Sequence, residues 1–152
     1  MYSHLEDFII NLYHTIGIME PKQLDMYTIA ERLGISITYR KSNYRLGSEV
    51  ILSPGNTKQK EWQLFGHEVG HVLRHSGQQL GMHWLFIELQ EFQANHFSYH
   101  FCVPTFMLRK LELPFSKRQA TYQVAKTFNV EYGFASKRLG MFESKMVQEL
   151  YY

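Results

Sequence analysis

The sequence predicts an α+β domain that is mostly helical and contains a small β-sheet. Over most of the chain, apolar residues recur every three or four positions, which is the spacing of helices with one buried face. Two short segments, 35–39 and 49–52, are instead rich in the β-branched residues that favour strands. The 152 residues, of which 45% are hydrophobic, are enough for one domain with its own core. The predicted order, in which strands follow two helices and more helices follow the strands, is typical of α+β folds.

The first third of the chain predicts two helices followed by two strands. The first helix spans about residues 5–16, and the second runs from about residue 24 to 33 and stops at Gly34. Residues 35–39 alternate in polarity and form the first strand, and Glu49–Leu52 forms the second. Two strands of this length make only a small sheet, so the helices must supply most of the core.

The remaining two thirds predict helices only. Asn56 or Thr57 caps the first of them, Ser116 caps a later one, and a break is expected near Gly140. We expect residues 1–104 to form the core that carries the functional site. Residues 105–152 would form a C-terminal helical subregion packed on the same domain. The predicted helices cover about residues 58–75, 84–101, 116–128 and 131–150.

Composition and charge predict a protein of the cytoplasm with no membrane segment. The single cysteine, Cys102, excludes an internal disulfide, which favours a reducing compartment. The N-terminus lacks the basic start and long apolar run of a secretion signal, and no apolar run is long enough to span a bilayer. Net charge is only +2, although residues 104–152 carry eight Lys or Arg against four acidic residues. We interpret that excess as a solvated helical face that permits nucleic-acid contact without requiring it.

The motif that carries chemistry is His67-Glu68-Val69-Gly70-His71, which has the pattern H-E-x-x-H. Two histidines four positions apart on a helix project from the same face, so both rings can reach one metal ion. The side chain of Glu68, between them, projects roughly a third of a turn away around the helix. It is therefore poorly placed to be a ligand together with both rings, but it can reach a water bound to that ion. The spacing thus predicts His67 and His71 as metal ligands and Glu68 as the catalytic base. An accidental match in a chain of this composition has a probability of roughly 3%.

Hydrophobic periodicity supports this orientation of the helix. At 100° per residue, His67 and His71 lie nearly opposite the centre of an apolar stripe. The stripe can face the core while the histidines face a cleft, whereas a pair of core histidines would lie within the stripe. Its members are Trp62, Phe65, Val69, Val72 and Leu73.

A catalytic zinc site needs a third protein ligand and one open position. The following helix offers Glu88 and Glu91, and we favour Glu91 because Asn95 follows it one turn later and could orient a ligating histidine. His75 is a weaker candidate, since it lies about 12 Å along the helix from His67.

These residues carry a resemblance to a known family. The segment 67–75, HEVGHVLRH, followed by EFQANHF at 91–97 and closed by Pro104, resembles the ImmA/IrrE family of bacterial metallo-endopeptidases. The interval from His71 to Glu91 is similar to the thermolysin arrangement. The resemblance covers about residues 25–139 and is most specific between His67 and Pro104. Ser98 departs from the family pattern, which usually has alanine there.

The resemblance implies a zincin-like metallopeptidase domain in residues 1–104, with zinc held by His67, His71 and Glu91. It also implies a protein substrate, namely a helix-turn-helix repressor of a prophage or mobile element, whose cleavage relieves repression. Mn²⁺ or Fe²⁺ could replace Zn²⁺, because nitrogen and oxygen ligands discriminate weakly between these metals.

Two alternatives remain open. Residues 124–139 resemble a helix-turn-helix, a feature common in this family, although we favour a packed helical pair over contact with DNA. The chain could therefore be a DNA-binding transcriptional regulator with a non-catalytic metal site, although one cysteine suits a structural zinc site poorly. It could also be an inactive interaction module that keeps the fold.

Overall fold

The computed structural model describes residues 2–41, 48–75 and 91–151, except for the side chains of residues 74–75 and 91–94. Within these residues the chain is an α+β protein, as predicted, with a two-stranded sheet among helices. The helices are α1 (His4–Thr15), α2 (Met26–Leu33), α3 (Lys58–His75), α4 (Glu91–Cys102), α5 (Thr105–Leu108), α6 (Lys117–Phe128) and α7 (Tyr132–Tyr151), the strands are β1 (Ser36–Tyr39) and β2 (Glu49–Leu52), and a 3-10 turn spans Pro21–Gln23.

Local capping chemistry explains where several helices begin and end. The Ser116 hydroxyl accepts the Gln119 N–H at the start of α6, as predicted. Thr57, one of the two predicted caps of α3, accepts the Lys60 N–H over 3.1 Å. Helix α2 ends at Gly34, whose φ of 71° is a left-handed conformation that favours glycine.

One predicted boundary is wrong. We expected a break near Gly140, but α7 continues through it from Tyr132 to Tyr151. The neighbouring Leu139 is buried and helix α7 packs along α6. This packing outweighs the weak helix propensity of a single glycine.

The two strands pair in parallel, with Ile37 opposite Val50 and Tyr39 opposite Leu52. Val50 and Leu52 are fully buried because this face of the sheet packs on α3. The sheet therefore lies directly beside the helix that carries the H-E-x-x-H motif.

The described chain divides into two compact units. One comprises residues 25–98 and contains α2, both strands, α3 and most of α4. The other comprises residues 1–24 and 99–152. None of the described helices is both long enough and apolar enough to cross a membrane.

The second of these units contains a buried polar network. Arg138, which is 1% exposed, donates to the Val103 carbonyl oxygen and to the Thr105 hydroxyl, and Thr105 in turn donates to Glu6. Lys145 also contacts the Glu6 carboxylate. Burial by itself would raise the pKa of Glu6, but hydrogen bonds from Lys145, Thr105 and a backbone N–H lower it to about 2.

Candidate metal centre

Helix α3 brings the two motif histidines together, with their ring planes at 71° to each other in an edge-on arrangement. The Nε2 atoms of His67 and His71 lie 3.1 Å apart, and the ring centroids are 4.8 Å apart. Two nitrogen ligands of one tetrahedral zinc ion are separated by about 3.3 Å, given bond lengths of about 2.05 Å. The nitrogens are therefore spaced for a single shared ion, and both side chains are half-buried.

The predicted orientation of α3 agrees with the burial of its side chains. The predicted apolar stripe is buried throughout, with Phe65 and Val69 fully so. The rings of Trp62 and Phe65 stack with centroids 6.1 Å apart. The core thus holds one side of α3, which turns the histidines to the other side. Glu68 follows His67 in the same helix and is half-buried.

The helix that begins at the predicted third ligand packs directly on α3. Phe97, in α4, is fully buried, and a Cβ atom added to Gly70 would lie only 3.0 Å from Cδ1 of its ring. The absent side chain at Gly70 is thus what lets the Phe97 ring approach the backbone of α3. We did not predict this contact, although a glycine in the interior of a helix is a signal that could have indicated it.

The third ligand remains a prediction. Glu91 is the first residue of α4, but its side chain, like the whole of Glu88, lies outside the described residues, as does the side chain of His75. Within the part that is described, no group of three or more His, Cys, Asp or Glu side chains could hold a metal. Asn95 is exposed, and its role in orienting a histidine also stays a prediction.

The donor chemistry of the histidine pair fits a zinc ion. Neutral imidazole nitrogens are among the ligands that Zn²⁺ prefers, and their separation suits tetrahedral coordination. A carboxylate as third ligand would complete the His₂Glu set of catalytic zinc sites and leave one position open.

A tyrosine cluster that we did not predict lies in the same unit. The hydroxyls of Tyr27 and Tyr39 are hydrogen-bonded to each other. Partial desolvation, followed by the hydrogen bonds to Tyr27 and to Glu61, raises the pKa of Tyr39 above its ordinary value, although the residue is 41% exposed. The cluster links α2, β1 and α3 beside the sheet. No spacing in the sequence indicated it.

A helix with two facing histidines around a glutamate, set beside a small sheet, is the arrangement of a metallopeptidase domain. Residues 21–140 match the family model Peptidase_M78, described as the IrrE N-terminal-like domain. The chain belongs to this peptidase family, and the resemblance to ImmA/IrrE proteins is confirmed.

Two curated relatives match nearly the whole chain. One is phage-like element PBSX protein XkdA of Bacillus subtilis (strain 168), which is 44% identical over 148 residues, or 94% of this chain and 75% of that protein. Another is the uncharacterized protein YqaB of the same strain, which is 37% identical over 154 residues, or 98% of this chain and 90% of that protein. No solved structure matches the chain significantly.

Proposed function

We propose that this chain is a zinc-dependent endopeptidase in which His67, His71 and Glu91 hold the metal and Glu68 is the catalytic base. The observation that carries the proposal is the 3.1 Å separation of the two Nε2 atoms. Membership of a peptidase family supports the reaction class independently.

Each of these residues has a distinct chemical role. A metal held there would act as a Lewis acid towards the scissile carbonyl and the attacking water. The Glu68 carboxylate accepts the proton of that water and later donates it to the leaving amine. The two imidazoles and the Glu91 carboxylate would hold the ion by donating nitrogen and oxygen lone pairs. Mn²⁺ or Fe²⁺ would suit the same donors.

The substrate that we propose is a helix-turn-helix repressor of a prophage or mobile element, cleaved in the cytoplasm. A relative whose name assigns it to a phage-like element supports this class of substrate. Strand β2 offers a way to bind an extended segment. Ser48 and Leu52 accept hydrogen bonds from the N–H groups of Ser36 and Arg40 on the β1 side, so the backbone groups of Ile51 point to the opposite edge of the strand. A substrate segment could pair there as an added strand.

The proposed activity is tested by co-expression with any helix-turn-helix repressor encoded near the gene of this protein. We expect a shortened repressor with the wild-type chain and intact repressor with Glu68→Gln. Glu31→Gln serves as a matched control, because Glu31 is an exposed carboxylate on α2. Equal cleavage by the Glu68→Gln variant would remove Glu68 as the base, and intact repressor with the wild-type chain would remove this substrate.

A second candidate function, a DNA-binding regulator, draws on one specific surface. Arg118, Tyr122 and Lys126 are exposed at four-residue spacing along α6, a helix with no acidic residue. Tyr122 is 66% exposed. Basic side chains with an interleaved aromatic residue are suited to phosphate contacts. Arg138 cannot take part, because it is buried within the unit.

The DNA-binding candidate is tested by fluorescence anisotropy with a short DNA duplex at several salt concentrations. If the chain binds DNA through this surface, Arg118→Glu and Lys126→Glu each weaken binding. Each also lowers the slope of the logarithm of the binding constant against the logarithm of the salt concentration by about one in magnitude. Lys60→Glu makes the same charge change at an exposed position of α3 and should have little effect. Absence of binding at low salt, or equal losses in all three variants, would exclude this candidate.

A further inference from the structure

Among the described helical glycines whose surroundings are known, only Gly70 lies against another side chain, the ring of Phe97. A Cβ atom at position 70 would lie 3.0 Å from Cδ1 of Phe97, 3.3 Å from Cγ and 3.6 Å from Cε1. At Gly133 and Gly140, in α7, an added Cβ would meet nothing within 4 Å. Glycine destabilises a helix interior relative to alanine. At position 70, but not at the other two, the neighbouring ring accounts for its presence.

The ring of Phe97 has little freedom to move away. The residue is 0% exposed, and Gly70 is itself buried on the opposing helix. Protein interiors are close-packed, so a methyl group added between these two surfaces would separate the helices rather than fill a void. The Gly70–Phe97 contact therefore sets how closely α4 approaches α3 at this point.

This point of approach is adjacent to a proposed metal ligand on α3 and lies within two helical turns of the proposed ligand on α4. Gly70 immediately precedes His71, and Phe97 follows Glu91 by six residues, which is about 9 Å along α4. Metal–ligand distances tolerate deviations of only about 0.2 Å. A separation of the helices by a few tenths of an ångström would therefore act directly on the coordination of a shared ion.

We propose that Gly70 and Phe97 are positioning residues for the metal site, in that their contact holds α4 at the distance from which Glu91 reaches the ion bound by His67 and His71. The inference rests on the proposed function, because it requires Glu91 to be the third ligand. Neither Gly70 nor Phe97 touches the metal or the substrate. Both act through the placement of a helix.

The test measures zinc affinity of the metal-free full-length protein by competition with a chromogenic chelator. Gly70→Ala should weaken zinc binding at least tenfold, whereas the matched control Gly133→Ala should change it less than twofold. In the double variant Gly70→Ala/Phe97→Leu, the smaller side chain leaves room for the added methyl group and should recover most of the lost affinity. Phe97→Leu alone should weaken zinc binding severalfold, and this variant serves if Gly70→Ala does not fold.

Thermal unfolding of the metal-free variants separates positioning from simple packing. If Gly70→Ala and Phe97→Leu lower the melting temperature but leave zinc affinity unchanged, the contact is only structural and the inference is overturned. Lack of rescue in the double variant would overturn it as well. Glu91→Ala measured alongside distinguishes the two proposals. If that variant keeps full zinc affinity, the proposed ligand set fails first and the positioning role falls with it. If it loses zinc while Gly70→Ala does not, only the positioning role fails.

Discussion

Arg138 donates its Nε–H to the carbonyl oxygen of Val103 across 2.9 Å, although the two residues are 35 positions apart in the chain. Burial lowers the pKa of the guanidinium to about 10, an effect that the nearby Glu6 carboxylate opposes. The same guanidinium donates to the Thr105 hydroxyl. A segment that resembles a DNA-binding motif thus uses its most buried cation to hold the end of α4 and the start of α5.

Replacement of Arg138 by alanine is expected to destabilise the protein by about 3 kcal/mol, because it leaves the buried Val103 carbonyl and Thr105 hydroxyl without this donor and removes one of the two cations near Glu6. Urea unfolding of the purified variants measures this loss. Lys126→Ala, at an exposed position of α6, should change stability by less than about 0.5 kcal/mol. Equal stability of the two variants would contradict the structural role of Arg138.

The buried Glu6 carboxylate predicts a loss of stability in acid. Its pKa is about 2 in the folded state, below the ordinary value of 4.5, so the unfolded chain takes up the proton first as the pH falls. The contribution of Glu6, about 3 kcal/mol, is therefore fully present above pH 4.5 and is lost as the pH falls towards 2. Urea unfolding at pH 6, 4 and 3 should show this loss.

Glu6→Gln should remove this acid dependence, since glutamine does not titrate. Asp7→Asn is the control, because Asp7 is the exposed neighbour in the same turn of α1. If wild type and Glu6→Gln lose stability in parallel between pH 6 and 3, the depressed pKa of Glu6 is not the cause.

Glu68→Gln is expected to keep zinc but to lower peptide cleavage by at least about 100-fold, because glutamine cannot accept the proton of the attacking water. Zinc content by atomic absorption and cleavage rate are measured on the same preparation. Zinc loss in this variant would make Glu68 a ligand rather than a base, and undiminished cleavage would exclude both roles.

Glu91→Ala is expected to lower zinc occupancy, because removing one of three protein ligands weakens metal binding. Glu88→Ala, measured in parallel, should bind zinc as the wild type does. If the two results are reversed, Glu88 is the ligand. If both variants keep one zinc per chain, the third ligand is a different residue.

Local patterns predicted the features that depend on neighbours in the chain. Gly34 predicted the C-terminus of α2 and Ser116 predicted the N-terminus of α6. Both signals are local, because a left-handed glycine and a capping hydroxyl each act within one helical turn. The break expected at Gly140 was wrong for the complementary reason. There a weak local preference was overridden by packing between α6 and α7.

The sequence by itself determined that His67 and His71 share one face of a helix, since a spacing of four residues is about one helical turn whatever surrounds it. It also determined which side of α3 is apolar, and hence that the histidines turn away from the core. Only the tertiary structure decided that the Phe97 ring lies on Gly70, that the strands pair in parallel and that Arg138 is buried. Each of these depends on residues far apart in the chain meeting at close range, and no local spacing of residue types encodes such a meeting.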